Sequence, residues 1–186
     1  MIVGAHVPSA APLKEAADVG AECIQMFLGP PQSWKKPPPR PDADALRASP
    51  APIYVHAPYL INVASPNNRV RIPSRKILAH TIEGAAQIGA AGVIVHAGHA
   101  EDGVPKGFVR WKKVFEELEE PAVPVLIENT AGGTNAMGRR VEVLAELWPH
   151  LADFDVGFCF DTCHAHSAGE DLVDVVERTL KATGRI

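Results

Sequence analysis

The chain has 186 residues, 46% of them hydrophobic and 22% charged, with a formal net charge of −4. That is enough chain for one domain with a substantial core, in the composition range of globular proteins. The first residues lack the basic start and long apolar stretch of a secretion signal, and no apolar run approaches the ~20 residues a membrane span needs, so a cytoplasmic, membrane-free protein is expected. The acidic balance argues mildly against a general nucleic-acid binder, although bound cations would reverse the field of any carboxylates that hold them.

In chain order, a strand-like run at 2–7 leads to a helical pattern at 12–20. A second run at 23–28 is followed by a proline-rich loop, GPPQSWKKPPP at 29–39, and a short helical stretch at 42–49. IYVHAPY (53–59) precedes the long helical stretch 74–90, GVIVHAG (92–98) precedes 107–120, PVLIENT (124–130) precedes 139–151, and GFCFDT (157–162) precedes 171–184. Six strand–helix units in succession are the pattern of an all-parallel sheet covered by helices. The runs are continuously apolar, not alternating, as strands buried on both faces are. Ser74 is the expected N-cap of the long helix, Gly89 and Gly92 its stop, and Gly184 the stop of the last helix. A seventh strand is expected to begin at 183–186. Six units leave two architectures open: a doubly wound sheet, or an eight-fold barrel cut short. After the second strand of a barrel, the proline-rich loop would rise over the catalytic face.

Successive runs end in a side chain with metal-ligand chemistry: His56, His96, Glu128 and Asp161, with His164 three residues beyond the last. In a parallel barrel all such ends converge on one face. Independent core histidines would not recur at the same place in successive units, so a metal site is expected. Glu128 is the natural bridge, because a carboxylate can bind two metals and an imidazole cannot. Two metals about 3.5–4 Å apart suit phosphodiester hydrolysis. His99, three residues after His96, is expected to orient a ligand, and His6 ends the first strand on the same face. His80 and His150 fall in helical stretches and are expected on the surface, while His166 is ambiguous. Cys23 and Cys159 are expected as small core residues. Cys163 is read as a packed turn residue in preference to a thiolate ligand, and three cysteines without CxxC argue against a disulfide framework. Two basic clusters, Arg69, Arg71, Arg75 and Lys76, and Lys106, Arg110, Lys112 and Lys113, are either solvated surface or a polyanion contact.

These segments together resemble the endonuclease IV family of apurinic/apyrimidinic endonucleases, within the xylose-isomerase-like barrels. The resemblance is carried by GAHV at 4–7, VHAPYLIN at 55–62, RIPSRKIL at 71–78, VHAGH at 95–99, IENTAG at 127–132 and FDTCHAHSAGED at 160–171. It implies a TIM (β/α)8-type barrel of which about six βα units are present, residues 1–186 forming one domain that lacks the last two. It implies a zinc-dependent hydrolase of base-excision repair, acting as a monomer on double-stranded DNA with abasic sites. Such an enzyme cuts 5′ to the lesion to leave a 3′-hydroxyl, and clears blocked 3′ ends. Of the family's three zinc ions, the first corresponds to His56, His96 and Glu128. The second corresponds to Glu128 and Asp161, and the third to His164. The remaining family ligands lie beyond this chain, so full ligation is expected for at most one ion and activity is expected to be weak or absent. Tyr59 and Leu60 match a pair of DNA-inserting side chains, whose alternative is ordinary loop packing. Gln32 stands where some members carry an arginine wedge. Two other readings compete: a metal-dependent sugar isomerase or epimerase on the same barrel, which would want a lysine or second glutamate for proton transfer, and a non-catalytic metal- or DNA-binding fragment.

Overall fold

The computed structural model describes residues 1–184. Six short strands, β1 (Gly4–His6), β2 (Cys23–Met26), β3 (Ile53–His56), β4 (Gly92–His96), β5 (Val125–Glu128) and β6 (Val156–Cys159), alternate with helices. These are α1 (Pro12–Asp18), α2 (Ala43–Arg47), α3 (Asn68–Gln87), α4 (Val104–Leu118), α5 (Val141–Leu147), α6 (Thr162–Ala168) and α7 (Val175–Thr183), with a 3-10 turn at Trp148–Leu151. The sheet is parallel throughout and its order is β1-β2-β3-β4-β5-β6. A doubly wound sheet turns back at a switch point. This one never does, so the barrel-type architecture is correct. The expected seventh strand falls partly on Arg185 and Ile186, outside the described residues.

Val55, Val93, Val125 and Ile127 share the face that the helices cover and are fully shielded, as are Leu78 and Trp111 on those helices. On the other face Tyr54, Leu126 and Cys159 are half-buried, and the edge strand β1 is largely exposed. In α3 the buried positions Ser74, Ile77, Leu78, Thr81, Ile82 and Ala85 follow the 3- and 4-residue spacing of one helix face. In α4 the buried stripe is Gly107, Phe108, Trp111, Val114 and Phe115. Among the described residues no helix is long and apolar enough to cross a membrane.

Three boundary expectations need correction. Helix α3 starts at Asn68, well before Ser74. Its N-cap is Asn67, whose side chain accepts from the Arg69 amide at 2.9 Å. Pro73 therefore lies inside the helix, and Ser74 is buried in its interior, donating to the Val70 carbonyl at 2.7 Å and accepting from the Asn62 amide at 2.9 Å. Gly89 does stop the helix with a left-handed φ of 66°, but Gly92 is the first residue of β4. The last helical pattern begins later than expected, and a separate helix, α6, precedes it. Gly184 closes α7 at φ 77°.

The basic clusters are mostly tied down. Arg75 pairs with Glu117 at 2.8 Å across α3 and α4, and Arg110 with Asp102 at 2.6 Å. The Arg110 guanidinium holds the Asp102 carboxyl down to about 2. His150 is exposed and stacks on Phe108, whereas His80 is half-buried, not on the open surface as expected.

Candidate metal centre

The register of the sheet assembles the site. His96 on β4 is paired directly with Glu128 on β5, and Glu128 with Cys159 on β6. His56 sits level with Ile94, so it shares the inward face of His96 two residues down the neighbouring strand. Glu128 is buried, and three imidazoles surround its carboxylate. Oε2 is 3.1 Å from Nε2 of His56 and 3.4 Å from Nε2 of His96, while Oε1 is 3.5 Å from Nδ1 of His164. The donor atoms form two groups, His56–His96–Glu128 and Glu128–Asp161–His164, each within 4.8 Å. Glu128 is common to both.

The spacing of Asp161 and His164 has a local cause. Asp161 is the N-cap of α6 and His164 is its third residue; the Asp161 carboxylate accepts from the His164 amide at 2.7 Å. This is the ordinary reach of an N-cap side chain, and it places an imidazole and a carboxylate side by side.

Hydrogen-bond logic shows that the donor set suits a cation. Nδ1 of His56 lies 2.7 Å from the Ala57 carbonyl, which can only accept, so that nitrogen carries the proton. The Nε2 lone pair is then aimed at the Glu128 carboxylate, two acceptors 3.1 Å apart. A second ring proton or a metal cation between them satisfies both, and the cation also serves His96. Nδ1 of His164 lies 2.9 Å from the Asn129 carbonyl, and the same nitrogen stands 3.5 Å from Glu128 and 3.7 Å from Asp161. Burial pushes the His96 pKa down, helped by the nearby His56 and His164 rings and opposed by Glu128 and Asp161, which favours the neutral, ligating form. Imidazoles and carboxylates in groups of three are a good donor set for zinc and similar divalent ions.

Cys159 is half-buried beside this centre. Desolvation and the Glu128 and Asp161 carboxylates push its thiol up to about 12, so it stays protonated. Cys163 is exposed on α6, not packed in a turn.

Tyr59 forms the roof. Its ring lies nearly parallel to that of His96 (17°, centroids 5.6 Å apart) and edge-on to His56 at 5.3 Å, and it is 48% exposed. Its amide donates to the Pro31 carbonyl at 2.8 Å, so the proline-rich loop does reach the site face. Between that loop and His56 lies a cavity of about 440 Å3 with Lys35 and Lys36 on its wall. Leu60 is half-buried beside Tyr59 and lines a second cavity of about 530 Å3 next to His96. Gln32 is exposed on the loop.

His6 is one ring removed from the centre: it packs on Phe27 at 5.0 Å, and Phe27 packs on His56 at 5.2 Å. The ring of His99 meets Glu101 at 3.1 Å and the Asn62 side chain at 3.2 Å.

The side chains that do position the site are two asparagines. Asn129 clamps Asp161 at both ends, donating to its carbonyl at 2.8 Å and accepting from its amide at 2.6 Å. Asn62 donates to the His99 carbonyl at 3.0 Å and accepts from the His99 amide at 3.2 Å, joining the Tyr59 loop to the one after β4. Gly98, at φ 72°, makes room: a Cβ there would fall 2.4 Å from the Asn62 side-chain oxygen. Both asparagines lie within the motifs noted in the sequence, Asn62 just after the turn at 59–60 and Asn129 directly after β5.

A family model described as a xylose isomerase-like TIM barrel matches residues 13–186. A protein of Mycobacterium bovis named "Probable endonuclease 4" is 57% identical over 188 residues, covering 100% of this chain and 74% of that protein. The crystal structure of endonuclease IV from Thermus thermophilus matches with a TM-score of 0.82 at 30% identity, over 99% of this chain and 72% of that one. A D-tagatose 3-epimerase-like protein gives a TM-score of 0.75 at 21% identity over 97% of this chain and 72% of its own, a likeness of fold alone. The chain belongs to the endonuclease IV family of xylose isomerase-like TIM barrels.

Proposed function

We propose that the protein is a zinc-dependent endonuclease that hydrolyses the phosphodiester 5′ to an abasic site in double-stranded DNA. It would leave a 3′-hydroxyl, clear blocked 3′ ends, and act as a monomer in the cytoplasm. The observation that carries the proposal is the pair of ligand groups sharing Glu128, in a chain 57% identical to a protein named for endonuclease activity.

His56, His96 and Glu128 would hold one ion, and Glu128, Asp161 and His164 would reach a second. Zinc bound there supplies Lewis acidity toward phosphate oxygens and makes water available as a nucleophile near neutral pH. The chain's own residues fix where that happens. The Ala57 carbonyl orients His56 and leaves its Nε2 toward Glu128, and the Asn129 carbonyl fixes the His164 ring beside Glu128 and Asp161. Asn129 sets the position of Asp161. Tyr59 and Leu60, beside the centre and partly exposed, would enter the duplex at the lesion, where unstacking is least costly.

The test is incubation with a duplex carrying one abasic site, beside an intact duplex, with and without a chelator, read on a denaturing gel. Weak lesion-specific, chelator-sensitive nicking is expected; equal cutting of both duplexes, or none at all, would sink the reading of this chain as an active nuclease. Tyr59→Ala is expected to weaken binding to the abasic duplex about tenfold, the scale of one lost aromatic–base stack, with metal content unchanged. Unaltered affinity would show that Tyr59 only packs the roof.

A further inference from the structure

We infer that Arg139, just beyond the β5 turn, binds a backbone phosphate of the DNA strand at a place separate from the metal centre; this rests on the nuclease reading. Six arginines, Arg40, Arg47, Arg75, Arg110, Arg140 and Arg178, each have a carboxylate within 4.0 Å. Arg69, Arg71 and Arg139 have none among the described residues, and of these three only Arg139 has a buried Nε without a partner. Its guanidinium reaches the Gly133 carbonyl at a long 3.4 Å. A permanently charged group with an unmet buried donor calls for an anionic acceptor.

Space for that acceptor exists. Arg139, Arg140, Thr134 and Asn135 line a cavity of about 530 Å3 whose wall contains no carboxylate. Arg140 shares Glu170 with Arg178, at 3.5 and 2.9 Å, and Arg139 is the arginine of this cavity with no carboxylate at all. Gly133, Thr134 and Ala136 also line the cavity that holds His96 and Tyr59. The two spaces therefore adjoin across one loop. A ligand that reaches from the metal centre to Arg139 would carry anionic groups repeated along its length, as a polynucleotide strand does and a lone phosphate ester does not.

The arginine is held at a fixed distance from the cleavage centre. The Thr130 amide donates to the Gly138 carbonyl at 3.1 Å, that of Met137 to Gly98 at 2.8 Å and that of Ala100 to Asn135 at 3.0 Å. Gly138 sits so tightly under the strand end that a Cβ would fall 2.8 Å from that of Ala97 and 3.2 Å from the Glu128 carbonyl. Arg139 follows it directly. A phosphate held there would set the register of the strand across the metals.

The experiment compares the full chain with Arg139→Gln and Arg139→Lys, by fluorescence anisotropy on a duplex containing one stable abasic analogue, over a series of salt concentrations. Arg139→Gln is expected to bind about tenfold more weakly, with the slope of log affinity against log salt reduced by about 0.9, one phosphate contact. Arg139→Lys should recover most of that slope. The nicking loss should fall on KM more than on kcat, with metal content unchanged. Replacing phosphates one at a time by neutral methylphosphonates should reveal one position that weakens the wild type but not Arg139→Gln. Identical slopes, or no such position, would overturn the subsite. Were the wild type to bind DNA without nicking it, the nuclease reading would fall while the slopes still judged Arg139. Were it to bind no DNA, both would fall.

Discussion

Glu128→Gln is expected to lower nicking of an abasic duplex on the order of 10³-fold or more, because one substitution weakens both ligand groups and removes charge where a phosphate must be neutralised. The amide keeps the size of the carboxylate but not its negative charge, so the change reports on metal binding and not on packing. Stability gives an independent measure. An ion at about a hundredfold its Kd adds about 2.7 kcal/mol to the folded state, or a rise in Tm of about 5–10 °C for a domain of this size. The wild type should show that rise on adding zinc, and Glu128→Gln should lose most of it. A variant that keeps full metal-dependent stabilisation would mean that Glu128 is not the shared ligand.

Asn129→Ala is expected to produce the second largest effect, although Asn129 is assigned no ligand role. Its side chain makes two short hydrogen bonds to the backbone of Asp161, and it is buried. Truncation leaves those groups without partners at a cost of about 2 kcal/mol. It also frees the N-cap of α6, so Asp161 and His164 lose their common placement. Residues that orient ligands are worth about 10–100-fold in metal affinity or activity, and a loss of that size in nicking is expected. The loss should be accompanied by fewer ions per chain, with the His56–His96–Glu128 group retained. Unchanged stoichiometry by elemental analysis would show that the Asp161 clamp is not needed for ligation.

Much of the site is legible in the sequence because its logic is local. His56, His96 and Glu128 each end an apolar run, and parallel register carries those ends to one face; Asp161 and His164 sit at a spacing that an N-cap explains. The positioning residues are harder to read. Asn129 and Asn62 act on backbone groups 32 and 37 residues away, and nothing in a neighbouring sequence window announces such partners. Spacing alone suggests a ligand-orienting role for His99, whose ring meets Glu101 after the turn at Gly98. Among the helices, long apolar periodicity is readable in α3 and α4. The start of α3 is misleading because Pro73 and Ser74 together look like a boundary, whereas Asn67 caps the helix and Ser74 is buried within it. Helix α6 is hard to see because TCHAHSA buries only two alanines, Ala165 and Ala168, and so shows no apolar stripe.

The most direct measurement is stepwise zinc titration of metal-free protein, following nicking of the abasic duplex and bound zinc in the same samples, for the wild type and Glu128→Gln. Nicking that is absent without metal, rises with zinc bound at the Glu128 centre and disappears in the variant is the expected result. Nicking by the metal-free protein, or a variant that binds zinc and cuts as the wild type does, would contradict a metal centre built around Glu128.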